Sequence, residues 1–71
     1  MRRNTAPELI EVSFELIRKS ASGKAWLVTD GDVEEWIPTS QIYDRDLDNY
    51  GQHQTVSPEI PVWLAKEKGF I

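Results

Sequence analysis

Cysteine is absent from this 71-residue chain and histidine occurs once, as His53. Without thiols, neither a disulfide framework nor a thiolate metal site supplements the core, and nothing points to an oxidising compartment. A zinc set is excluded for want of cysteine or a second imidazole. Long apolar runs are missing too: none approaches the ~20 residues that cross a bilayer. The start Met1-Arg2-Arg3-Asn4-Thr5 leads into polar residues and not into a signal-peptide core. The expectation is a cytoplasmic protein with no membrane association.

Cations are scarce where acids are dense. Between Asp30 and Glu59 eight carboxylates (Asp30, Asp32, Glu34, Glu35, Asp44, Asp46, Asp48 and Glu59) stand against the single cation Arg45, a net −7 in a chain whose total is −4. Clustered like charges repel and weaken the compact state, so a small domain that keeps them either meets a basic partner through their field or gains solubility from it. A chain of this length is one domain, residues 1–71, with one thin core and little room for a separate catalytic cleft.

The apolar content suits a globular fold. Ile10, Val12, Phe14 and Leu16 alternate with Glu11, Ser13 and Glu15, the period of a strand with one buried face. Ser20-Ala21-Ser22-Gly23 is a turn, and Lys24 to Thr29 suits a second strand. Asp30-Gly31 marks a hairpin into a third strand from Asp32 to Ile37, stopped by Pro38. Thr39 to Ile42 reads as one helical turn, Tyr43 to Gln52 as loop, and a poorer fourth strand falls within His53 to Ile60. Residues 61–68 read as a C-terminal helix, with Pro61 at its first position, lysines in its last turn and Gly69 at its stop; residues 1–8 read as a flexible arm. The fold class is α+β: a three- to four-stranded antiparallel SH3-like or open-barrel meander with one C-terminal helix.

The sequence does not settle the hairpin register, and two of the plausible turns place the tryptophans differently. A two-residue loop places Trp26 opposite Glu35; a three-residue loop places Trp26 opposite Glu34 and leaves Trp26 and Trp36 side by side off the core face. For so small a protein, tryptophan reads first as core.

The segments Lys24-Ala-Trp-Leu-Val-Thr29, Asp30-Gly-Asp-Val-Glu-Glu-Trp-Ile-Pro-Thr-Ser-Gln-Ile42 and Ile60-Pro-Val-Trp-Leu-Ala-Lys-Glu-Lys-Gly-Phe70 together resemble small single-domain proteins encoded by phages and mobile elements of bacteria. The resemblance covers around half of the chain, rests on structural and not catalytic motifs, and implies a fold and a genomic setting. In size and acidity alone the chain is similar to anti-CRISPR inhibitors.

Catalysis finds no support in the residues. No glycine-framed serine elbow accompanies His53, which lies in a polar stretch. Glu34 and Glu35, adjacent on a strand, point to opposite faces and cannot share a substrate. Asp44-x-Asp46-x-Asp48 matches the opening of a calcium loop, yet Asn49 stands where glycine turns the chain and Thr55 where glutamate closes the cage. No cofactor is expected.

Direct nucleic-acid binding is disfavoured because Trp36, Tyr43 and Tyr50 are interleaved with carboxylates that repel phosphate. Read in reverse, the pattern suits a basic target: Asp32, Glu34, Asp44, Asp46 and Asp48 supply charge, and Trp36, Tyr43 and Tyr50 apolar contact. The expected function is non-catalytic inhibition of a basic host protein, such as a CRISPR effector subunit, by occupying the surface where nucleic acid docks. The alternatives are an accessory nucleic-acid binder using Arg2, Arg3, Arg18, Lys19 and Lys24, or a structural module with solvated acids. An open strand edge would also permit a dimer.

Overall fold

A computed structural model describes residues 8–71. The expected arm at residues 1–8, with Arg2 and Arg3, lies outside the described residues except for Glu8. Six strands and one helix follow in order: β1 (Leu9–Glu11), β2 (Phe14–Lys19), β3 (Ala25–Thr29), β4 (Glu34–Pro38), β5 (Thr55–Val56), β6 (Glu59–Pro61) and α1 (Val62–Lys68), with 3₁₀ turns at Thr39–Gln41 and Leu47–Asn49. The fold is α+β: a four-stranded antiparallel sheet ordered β4-β3-β2-β5, a two-stranded sheet β1-β6, and the C-terminal helix.

The expected single strands over Ile10–Leu16 and His53–Ile60 are each two. The cause is one proline. β1 pairs with β6 and β2 with β5 in one continuous antiparallel register, Leu9 opposite Pro61 and Phe14 opposite Val56. Residues 12 and 58 meet midway, where Val12 N–H donates to the Pro58 carbonyl at 3.0 Å. Pro58 has no N–H to return the bond, and the ladder divides there.

The hairpin adopts neither expected register. Thr29 faces Glu34 and Trp26 faces Ile37, so residues 30–33 form a four-residue loop. Side chains close it. Asp30 Oδ1 accepts from the N–H groups of Asp32 and Val33 at 2.9 and 3.0 Å, and Thr29 Oγ1 donates to the Val33 carbonyl at 2.8 Å. Gly31, at φ 102°, supplies the left-handed step. The third strand therefore begins at Glu34 instead of Asp32, and it runs on to include Pro38.

This register sorts the tryptophans. Trp26 is buried with Phe14, Leu16, Val28 and Ile37, whereas Trp36 faces Leu27 on the opposite face and Trp63 stands out from the helix. Trp26 and Trp36 are thus not side by side, and tryptophan as core holds for one of the three. A bulge between Leu16 and Arg18 adds one residue to β2 and turns Arg18 outward, its guanidinium 5.1 Å from the Trp36 ring centre.

The helix starts at Val62 instead of Pro61, which still belongs to β6. It ends in a Schellman arrangement: Phe70 N–H donates to the Ala65 carbonyl and Gly69 N–H to that of Lys66, with Gly69 at φ 86°. Leu64 and Ala65 are buried, and Phe70 tilts onto Phe14 with ring centres 5.7 Å apart. Lys68 reaches Glu35 across the core side at 3.7 Å. No helix among the described residues is long and apolar enough to cross a membrane.

Candidate protein-binding face

The loop after β4 is held from below at three points. Thr39 N–H and Oγ1 both donate to the Lys24 carbonyl, Ile42 is buried, and Leu47 and Tyr50 pack against the core. Between these anchors the loop ties itself together. Asp44 Oδ1 accepts from Asp46 N–H at 2.9 Å, and Asp44 Oδ2 accepts from the Tyr50 hydroxyl at 2.8 Å. The hydrogen bond to Asp44, then burial, then the negative charges of Asp44 and Asp46 hold the Tyr50 phenol above its ordinary pKa. Asp46 and Asp48 face solvent.

Tyr43 joins this loop to the two-stranded sheet. Its N–H donates to the Glu59 carbonyl at 2.8 Å, and its carbonyl accepts from Glu59 N–H at 3.2 Å. On the other side of β6, Glu59 is opposite Glu11. Directly opposed residues share a face, so Glu11, Glu59 and Tyr43 form one row, all three exposed, with Tyr43 at 43%. Asp44 follows at its end. Among the described residues Glu35 pairs with Lys68 and Glu15 lies against the His53 imidazole, so none of these loop and row acids has a described cation as its partner.

Of the eight residues read from sequence as partner contacts, Tyr43, Asp44, Asp46, Asp48 and Tyr50 lie together. Their roles differ: Asp44 and Tyr50 shape the loop, while Tyr43, Asp46 and Asp48 are presented to solvent. Asp32, Glu34 and Trp36 belong to the hairpin. Asp32 is exposed at its tip; Glu34 and Trp36 lie on the outer face of β4. At ~3.3 Å per residue the strand separates Glu34 from Pro38 by about 13 Å, and the 3₁₀ turn intervenes before Tyr43. No hydrogen bond or ion pair among the described residues joins the two groups.

Glu11 and Glu59 join this row without a sequence signal that marks them. Glu11 reads in sequence as the solvent side of a strand, and only the β1-β6 pairing brings it beside Glu59 and Tyr43.

The remaining chemistry is sparse. His53 is exposed, with Nδ1 3.3 Å from Glu15 Oε2. Glu34 and Glu35 diverge, Glu35 turning to Lys68. Among the described residues no three metal-binding side chains converge. An open depression of about 290 Å³ beside the hairpin is lined by Ser13, Glu15, Thr29, Asp30 and Thr55 among others. Its Asp30 carboxylate is held below the ordinary range, chiefly by the N–H groups of Asp32 and then Val33. Of the described cations, Arg18 lies over Trp36 and Lys19 over Trp26.

Comparison with protein-family models, with curated proteins and with solved structures yields no match.

Proposed function

We propose that this chain is a non-catalytic, acidic binding protein that docks its Tyr43 face on a basic, nucleic-acid-binding surface of a host protein and blocks nucleic acid there. One observation carries the reading: Glu11 and Glu59, directly opposed across a ladder, sit in a row with exposed Tyr43 and continue into an acidic loop braced by Asp44 and Tyr50. Like charges in directly opposed positions destabilise a sheet. Their placement around an exposed aromatic makes sense when arginine and lysine side chains arrive from outside. Carboxylates then take the positions of phosphate oxygens in charge-assisted hydrogen bonds, and the tyrosine ring supplies desolvated contact at the centre.

The resemblance to phage and mobile-element proteins sets the proposed context: a phage-encoded inhibitor acting in the bacterial cytoplasm, with a CRISPR effector subunit as one partner of the required chemistry. Inhibition is stoichiometric and needs no cofactor.

The test is retention of host-lysate proteins on the immobilised chain at low and high salt, comparing it with a variant carrying E11Q, E59Q, D46N and D48N. Asp44 is left intact because it supports the loop. The expected result is one basic, nucleic-acid-binding protein, released by salt and by the four substitutions, whose nucleic-acid binding the chain inhibits in proportion to its concentration. Retention unchanged by the substitutions, or direct binding of labelled DNA by the chain itself, overturns the proposal.

A further inference from the structure

The sheet order leaves β4 as an edge, and the geometry points to a second copy of this chain as what covers it. The hydrogen-bond phase comes first. Thr39 N–H donates to the Lys24 carbonyl at 2.8 Å, one step beyond the Ala25–Pro38 pair. Bonded and non-bonded pairs alternate in an antiparallel ladder, so Ile37 and Glu35 direct their main-chain groups toward β3, whereas Glu34, Trp36 and Pro38 direct theirs outward. The bond from Ser20 N–H to the Ala25 carbonyl agrees, since it turns Ala25 away from Pro38 and toward β2. The outward residues Glu34, Trp36 and Pro38 are the exposed ones of the strand. The missing N–H of Pro38 falls on this outer edge, where the fold loses no bond.

Charge and main-chain bonding together select the register. A two-fold pairing centred on Glu34 opposes Glu34 to its own copy, and one centred on Glu35 opposes Glu35 to its copy; both set like charges face to face. Centred on Trp36, the pairing puts the two Trp36 rings opposite one another, Glu34 opposite Pro38 of the second copy, and Glu35 opposite Ile37. No carboxylate meets a carboxylate. Trp36 main-chain groups exchange two hydrogen bonds, and each Glu34 N–H finds a Pro38 carbonyl. A pairing centred on Ile37 also keeps carboxylates apart, but it bonds Trp36 to Pro38, which has no N–H to return the bond. Arg18, 5.1 Å from the Trp36 ring centre, and Leu27 across from Trp36 flank the aromatic pair on the same face. The interface is isologous and closes on itself, giving one eight-stranded sheet without a further β4 edge. It is independent of the function proposed above, because β4 is distinct from the Tyr43 row.

Sedimentation equilibrium over a wide concentration range tests this. The wild-type chain should rise from monomer toward twice the monomer mass. Trp36→Glu, which sets two carboxylates opposite each other, should remain monomeric with an unchanged circular dichroism spectrum. Because that variant can also lose its fold, a second measurement uses the cysteine-free background. Trp36→Cys places two cysteines in a bonded pair with Cα atoms ~5.5 Å apart, within disulfide range, and mild oxidation should crosslink it. Asp32→Cys, at the hairpin tip, should not crosslink. A wild-type monomer at the highest soluble concentration, or a dimer indifferent to Trp36→Glu and crosslinking equally through Asp32→Cys, overturns the inference. So does protection of β4 amides that appears only when another protein is added, which would assign the edge to a foreign strand.

Discussion

The Tyr50 hydroxyl donates to Asp44 Oδ2 at 2.8 Å, while Asp44 Oδ1 accepts from Asp46 N–H at 2.9 Å. One carboxylate therefore ties the far end of the acidic loop to its beginning, and Tyr50 in turn packs against the core. The loop is acidic and yet shaped.

Tyr50→Phe should loosen this loop without unfolding the sheet. Amide hydrogen exchange should quicken over residues 44–50 and stay slow in β2 and β3. The Tyr50 phenol is held above its ordinary pKa by Asp44, so its contribution to stability is complete below the unfolded phenol pKa and is lost as pH rises through the higher folded value. An alkaline ultraviolet titration should show a tyrosine ionising above ~10, and that component should vanish in Tyr50→Phe. If it persists, the assignment to Tyr50 is wrong.

Asp30 responds at the other end of the pH scale. Its folded pKa is lowered, chiefly by the N–H groups of Asp32 and then Val33. The stability it confers is therefore present above the ordinary carboxyl pKa and lost as pH falls through the lower folded value. Asp30→Ala should lower the thermal midpoint at neutral pH and lose that difference from wild type in acid. Asp30→Asn, whose side-chain oxygen still accepts, should fall between them.

How far these relationships are legible in the sequence differs by element. Alternation from Ile10 to Leu16 marks the buried face correctly, since Val12, Phe14 and Leu16 are all buried. It is blind to the division of that run between two sheets, because the break is set by Pro58, over forty residues away and meeting Val12 only in the fold. Asp30-Gly31 announces a turn, but its length depends on Asp30 and Thr29 side chains bonding to Val33, a local competition that residue spacing does not rank. The loop half of the proposed face is visible as Asp44-x-Asp46-x-Asp48. The Glu11–Glu59 half exists only through pairing. Gly69 is the opposite case, a helix stop readable from one residue and its lysine-rich last turn.

His53 has φ 66°, the one described non-glycine residue in the left-handed region. Its N–H bonds the Leu16 carbonyl and so returns the chain to β2 ahead of β5. His53→Val should cost ~1–2 kcal/mol, because a β-branched side chain tolerates this conformation poorly. His53→Asn should be close to neutral, since asparagine visits the region readily. Chemical denaturation compares the two; equal losses would point to the imidazole contact with Glu15 instead of the backbone.

Glu11 and Glu59 separate stability from binding. Directly opposed carboxylates on β1 and β6 are a local electrostatic defect, and neither is paired with a described cation. Glu59→Lys turns the repulsion into attraction and should raise the urea midpoint without changing the slope of the transition. The same substitution places a cation beside Tyr43, in the centre of the face proposed to meet arginine and lysine, and should abolish retention of the basic partner. Glu11→Gln should stabilise less and weaken retention less. A solvated acidic surface with no partner predicts the stability gains alone, so a more stable Glu59→Lys chain that still retains the same partner at the same salt would remove Glu59 from the interface.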